Sequence, residues 1–154
     1  MSVSGSISSV MRPHPVTVRP HHSVRSAAAV LLDHAIDAAP VVTAEGEMRG
    51  VVDEIDLIRG LSGDPDEHAT TVADVMTPAP PTVGPDEAAR RAVDLVLDGA
   101  RIVPVLDHGH LVGVVDARDV VGWLVAHEVQ DGPNEIPGRA AIYEAITRAS
   151  AMSA

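Results

Sequence analysis

Two pairs of aspartates, Asp53 with Asp56 and Asp116 with Asp119, are the residues of this chain whose type and spacing best suit chemistry. Each pair closes one copy of a repeated pattern, GVVDEID from Gly50 to Asp56 and GVVDARD from Gly113 to Asp119. A glycine, two β-branched residues and carboxylates three apart is the pattern of a strand running straight into a helix. The first carboxylate of each pair stands at the expected N-cap, where it accepts hydrogen bonds from backbone N–H groups. The second lies about a turn further on, where capping suits it less and where it is available to hydroxyl groups of a bound molecule.

Other chemistries find less support. The eight histidines invite a metal reading, above all His108 and His110 around Gly109, and His21 with His22. Neither group has the i, i+4 spacing that sets two imidazoles on one helix face, and the first falls in a predicted hairpin turn, so no metal site is assigned. Without cysteine there are no disulfides, thiolate sites or cysteine nucleophiles. No glycine-rich phosphate loop, GxSxG or HExxH occurs, and no enzyme is expected. A formal net charge of −11 argues against nucleic acid as a partner, since phosphate binding depends on clustered basic residues. No apolar run approaches the roughly 20 residues of a membrane helix, and the start MSVSGSISS has neither the basic region nor the apolar run of a signal peptide. The expectation is a soluble cytoplasmic protein. All 11 basic residues are arginine, and the abundance of Ala, Val, Asp and Pro points to a GC-rich, bacterial genome.

The elements that position the aspartates are repeated with them. Val10 to Pro20 matches Val75 to Pro85 at a spacing of 65, and Arg25, Ala27, Leu32 and Asp33 match Arg90, Ala92, Leu97 and Asp98 at the same spacing. Pro40 and Val41 match Pro104 and Val105 at 64, and the aspartate motifs lie 63 apart, two single-residue losses expected in turns. Each half reads as a short helix (6–11 and 71–76), a short strand (Val16 to Val18, and Thr82 with Val83), a longer helix, a two-stranded hairpin and a closing helix. The longer helices present Val24, Ala27, Ala28, Leu31, Leu32 and Ala35, and Ala89, Ala92, Val93, Val96, Leu97 and Ala100, at helical spacing. Asp86 is the expected cap of the second and Gly99 its stop. The hairpins join APVVT to Met48–Val52 and IVPVL to HLVGVV; the closing helices run from Glu54 to Leu61 and from Ala117 to about His127. Residues 62–70 read as a polar connector, and AAIYEAITRASAM after a second loop as a helix covering an edge or a dimer contact. With no Phe, one Trp and one Tyr, the core must be built from Val, Leu, Ile and Ala.

In order and spacing, Val75 to Val121 resembles a CBS domain, the module named after cystathionine beta-synthase, and Val10 to Leu61 resembles a second. The likeness rests on the VM-x-P entry, the Thr-Val strand, the helix, the Pro-Val strand and the Gly-x5-Asp exit, each present twice. It implies an α/β (α+β) fold: two CBS domains at 6–63 and 71–128, each a small sheet with flanking helices, related by a pseudo-twofold axis, and a C-terminal extension at 131–154. It also implies clefts between the halves that take adenosyl ligands (AMP, ADP, ATP or S-adenosylmethionine). By the same resemblance Asp56 and Asp119 match the ribose-binding carboxylates, Ala39 and Val103 the positions lining the base, and Thr17 and Thr82 the polar residues near sugar or phosphate.

One departure matters. The family usually carries Ser or Thr, often facing phosphate, where this chain has Asp53 and Asp116, and two anions at hydrogen-bond distance repel. Arg101 and Arg118 offset this in the second half, whereas Asp37 and Ile55 stand in the matching places of the first. Unequal clefts are therefore expected, with neutral or cationic adenosyl compounds or magnesium-bound nucleotides preferred to free ATP. The resemblance implies a non-enzymatic regulatory module acting on an unknown protein effector; the alternative is a structural adaptor with empty clefts. A homodimer is expected through Leu57, Ile58, Leu61, Val120, Val121, Trp123 and Leu124 of the closing helices.

Overall fold

In this computed structural model the described residues are 5–63 and 71–131, the side chains of 128–131 excepted. Most of the connector and the helix of the C-terminal extension lie outside them. Each half opens with one helical turn, α1 (Ile7–Val10) and α4 (Val72–Val75), followed by a two-residue strand, β1 (Arg12–Pro13) and β4 (Thr77–Pro78). A longer helix comes next, α2 (Val24–Asp33) and α5 (Ala89–Leu97). The hairpins are β2 (Ala38–Val42) with β3 (Met48–Asp53), and β5 (Ile102–Asp107) with β6 (His110–Asp116). Helices α3 (Glu54–Ser62) and α6 (Ala117–Asp131) close the halves. The α+β class and the doubled architecture agree with the repeat.

The two copies are interlocked. The sheets have the orders β2-β3-β4 and β1-β6-β5, so the opening strand of each copy pairs with the closing strand of the other. Arg12 and Pro13 lie opposite Val114 and Gly113, and Thr77 and Pro78 opposite Val51 and Gly50. Both crossings need the motif glycine: a Cβ on Gly113 would lie 2.6 Å from the sulfur of Met11, and one on Gly50 2.6 Å from the carbonyl oxygen of Thr77. The opening helices cross as well. Ile7 and Val10 pack among Val103, Val115 and Trp123, while Val72 packs among Leu31, Val52 and Leu57. A third cluster joins the sheets through Ala38 and Val51 of one half and Ile102 and Val114 of the other, corresponding residues facing each other about the pseudo-twofold axis.

Several expectations are corrected. The strands at Val16 to Val18 and at Thr82 with Val83 contract to single parallel bridges, Val18 to Val41 and Val83 to Val105. Pro15 and Pro20, and Pro81 and Pro85, flank them and remove ladder donors. Asp86 does not cap α5, because that helix begins after Ala88; its first N–H, on Ala89, instead donates to the carbonyl of Gly5 at 2.7 Å. Leu32 and Leu97 are 80% and 78% exposed and belong to no core. Each lies about 80° round its helix from the first buried residue, Val24 or Ala89, at the rim of the apolar stripe. The first residue loss falls inside the helix, since buried Ala27 and Ala92 are 65 apart but buried Leu31 and Leu95 are 64 apart. Gly99 does stop α5, with φ 107°, and the matching Ala35 ends α2 at φ 51°, in a left-handed conformation that costs an L-residue free energy.

Candidate functional site

Each aspartate pair forms a closed capping box. The N–H of Asp56 donates to Asp53 Oδ1 at 2.9 Å and the N–H of Asp53 to Asp56 Oδ2 at 3.0 Å. The second pair repeats this at 2.8 and 2.9 Å. Asp53 and Asp116 thus cap as expected, but Asp56 and Asp119 also take part. The third helical residue can reach back to the cap N–H, and a short Asp does so here in place of the usual Glu. Asp56 is only 8% exposed. Burial raises the pKa of both Asp56 and Asp119; the backbone N–H bonds they accept oppose this, and the neighbouring carboxylate adds to it.

The cation that bridges the second pair comes from the far end of the chain. Arg12, on β1, places Nη2 2.8 Å from Asp116 Oδ2 and Nε 3.0 Å from Asp119 Oδ2. Sequence reasoning does not find it, although the repeat holds the signal, a charge in VMRP where the other copy has VMTP. Arg101, expected to offset Asp116, instead lies 3.9 Å from Asp53 Oδ2 of the first half. The sites are built across the halves, so the segment entering β5 reaches the exit of β3.

Arg12 stands where two hollows meet. The larger, of about 630 Å³, is lined by Asp37, Arg101 and Arg118 with Asp116, Ala117 and Asp119. The smaller, of about 150 Å³, is walled by Pro13, His14, Pro15, Val16, Pro40 and Val114. Arg12, Ile36 and Ala38 line both. The apolar recess suits a flat ring, and the charged cleft suits hydroxyl and anionic groups. The side chains of Ala39 and Val103 do not line these hollows: both are fully buried in the two cores, and strand alternation turns Ala38 and Ile102 to the junction of the sheets and the larger hollow instead. Thr17 and Thr82 are exposed and line neither hollow. Asp53 and Asp56 lie outside both, at the pseudo-symmetric position.

A fold of two similar halves that exchange their opening strands is that of a CBS pair. The CBS domain model matches residues 7–63 and 72–126, and the chain belongs to that family. It is 26% identical over 124 residues to the CBS domain-containing protein YhcV of Bacillus subtilis, covering 80% of this chain and 88% of that one. The crystal structure of CBSX2 in complex with AMP superposes with a TM-score of 0.72 at 26% identity, covering 79% of this chain and 96% of that one; CBSX2 is a CBS-pair protein from Arabidopsis thaliana. The CBS domain pair of MJ0100, in complex with 5-methylthioadenosine and S-adenosyl-L-methionine, shares the fold with a TM-score of 0.70 at 23% identity, covering 80% and 98%. The chain spans only 44% of another relative, the uncharacterized protein MJ1225 of Methanocaldococcus jannaschii, which is 25% identical over 124 residues, 80% of this chain. No helix among the described residues is long and apolar enough to cross a membrane.

Proposed function

We propose that this chain is a regulatory module, without catalysis of its own, that binds an adenosyl ligand in the cleft beside Asp116 and Asp119. The observation that carries the reading is the junction at Arg12, where an apolar recess of about 150 Å³ opens into a charged cleft of about 630 Å³. An adenine ring fits the first, while ribose hydroxyls and a phosphate or sulfonium group fit the second, where Asp119, Arg101 and Arg118 supply an acceptor and two cations. The complex of CBSX2 with AMP supports the same ligand class. Magnesium would assist any polyphosphate entering a cleft with three carboxylates, Asp37, Asp116 and Asp119. Residues 6–63 and 71–128 are the two CBS units of this reading, the protein works in the cytoplasm, and it acts on an unknown protein effector.

The module acts as a homodimer in this reading. Leu57, Val120 and Trp123, expected at the contact, are buried in their own cores. The faces free to meet a second copy carry Ile55, Ile58 and Leu61 on α3 and Val121 and Val125 on α6, with Ile58 57% and Val121 60% exposed. Sedimentation at micromolar concentration checks this, a lone 16.0 kDa species counting against it.

Thermal-shift measurements with AMP, ADP, ATP, S-adenosylmethionine and NAD, with and without magnesium, test the ligand. A compound at 100 times its dissociation constant stabilises the fold by about 2.7 kcal/mol. A panel without any shift would favour the adaptor alternative, in which the dimer surface is the function.

A further inference from the structure

The carboxylate that the ligand needs is already engaged. Asp119 Oδ2 accepts both the N–H of Asp116 at 2.9 Å and Nε of Arg12 at 3.0 Å, and Asp116 Oδ2 accepts Nη2 of Arg12 at 2.8 Å. Among the described residues only Asp119 Oδ1 has no hydrogen-bond partner in this pair. Two vicinal hydroxyls need acceptors on both oxygens of a carboxylate, so Arg12 competes with one of them. The Arg12 side chain is nevertheless 47% exposed, reaches Asp116 and Asp119 from another strand, and faces both hollows. It is held by charge rather than by packing, and a guanidinium so placed can turn to a new anion.

We propose that Arg12 is the specificity-determining residue of this cleft and works by exchanging partners: it holds Asp116 and Asp119 when the cleft is free and the ligand's phosphate when it is filled. The exchange leaves Asp119 Oδ2 open to the second ribose hydroxyl. A nucleoside must break the Arg12 pairs without replacing them, whereas a nucleoside monophosphate replaces them. The cleft thereby rewards ligands that bring both a ribose and an anion, through a cation that the chain itself supplies. The inference rests on the reading that this cleft takes an adenosyl ligand.

The test is calorimetry of adenosine and AMP with the parent, Arg12→Thr and Arg12→Lys. Thr already occupies the matching position at Thr77, so the fold accommodates it; Lys keeps the charge without the fork. Arg12→Thr is expected to bind adenosine about tenfold tighter and AMP about tenfold weaker, the scale of one charge-assisted hydrogen bond in each direction. Arg12→Lys is expected to keep most of the preference for AMP. An AMP-to-adenosine affinity ratio that stays the same in Arg12→Thr, with both ligands bound, overturns the role of Arg12 alone. If neither compound binds the parent or either variant, the ligand reading of the cleft falls and this inference with it.

Discussion

Gly113 lies directly under Met11: a Cβ on the glycine would stand 2.6 Å from the methionine sulfur and 3.0 Å from the carbonyl oxygen of Arg12. The repeated aspartate motif begins with glycine because the opening strand of the other copy passes over it. Gly113→Ala must push β1 away, at a cost of about 1 to 3 kcal/mol, and it shifts Arg12 from Asp119. Gly122, on α6, has open space where a Cβ would stand, with nothing within 4 Å, and Gly122→Ala is expected to stabilise by about 0.5 to 1 kcal/mol. Urea denaturation of the two variants checks the contrast, and equal midpoints would count against the close crossing.

Ala35 and Gly99 end equivalent helices in left-handed conformations, and only one of them is glycine. Ala35→Gly relieves a conformation that costs an L-residue about 1 to 2 kcal/mol, less the entropy glycine adds to the unfolded chain. A net gain of about 0.5 to 1 kcal/mol is expected, with a loss of similar size for Gly99→Ala. Thermal denaturation that ranks these two variants the other way would refute the assignment.

Asp53 caps α3 through a hydrogen bond of 2.9 Å to the N–H of Asp56. Asp53→Ala should lose about 1 kcal/mol, and Asp53→Thr, which keeps a capping oxygen, should lose much less. If the two variants melt together, the cap contributes nothing measurable.

The pH dependence follows from burial of the second carboxylates. Asp56 and Asp119 both have pKa values raised above 3.8, chiefly by desolvation. A carboxyl whose pKa rises on folding holds its proton more tightly in the native state. Its contribution is therefore complete below the unfolded value and is lost as the pH rises through the folded one. Replacing Asp56 with Asn removes that contribution. The stability difference between the parent and Asp56→Asn should thus move in the parent's favour as the pH falls from about 7 to about 4. Urea midpoints across that range give the answer, and a difference that moves the opposite way would reverse the sign assigned to Asp56.

Most of the architecture was legible because it is written twice. Hairpins, closing helices and the Asp53 and Asp116 caps depend on patterns within about ten residues of each other, and such patterns survive in sequence. Leu32 and Leu97 sit at the rim of their stripes, and a helical period marks a stripe without marking where its edge meets solvent. The side chains of Ala39 and Val103 turn to the cores because residues adjacent in a strand face opposite sides, so a shift of one exchanges core for cleft. Arg12 was hidden for another reason: its partners are 104 and 107 residues away, and no local pattern carries that distance. The exchange of opening strands that brings them together was likewise invisible in either copy read alone.

That exchange sets an order of assembly. The first sheet is complete in sequence once β4 at Thr77–Pro78 exists, and α4 arrives just before it, so a nascent chain can finish that half early. For the second sheet the situation is reversed: its edge strand β1 is made first and waits about a hundred residues for Gly113 and Val114. Closing so distant a contact is entropically expensive and slow. The early half is then a template on which the late one is built, and the Arg12 pairs with Asp116 and Asp119 are among the last contacts to form. A circular permutant that moved only residues 5–15, which carry α1 and β1, to follow α6 would shorten that wait and leave Val18 in the first core, and it would let the second half nucleate without the first.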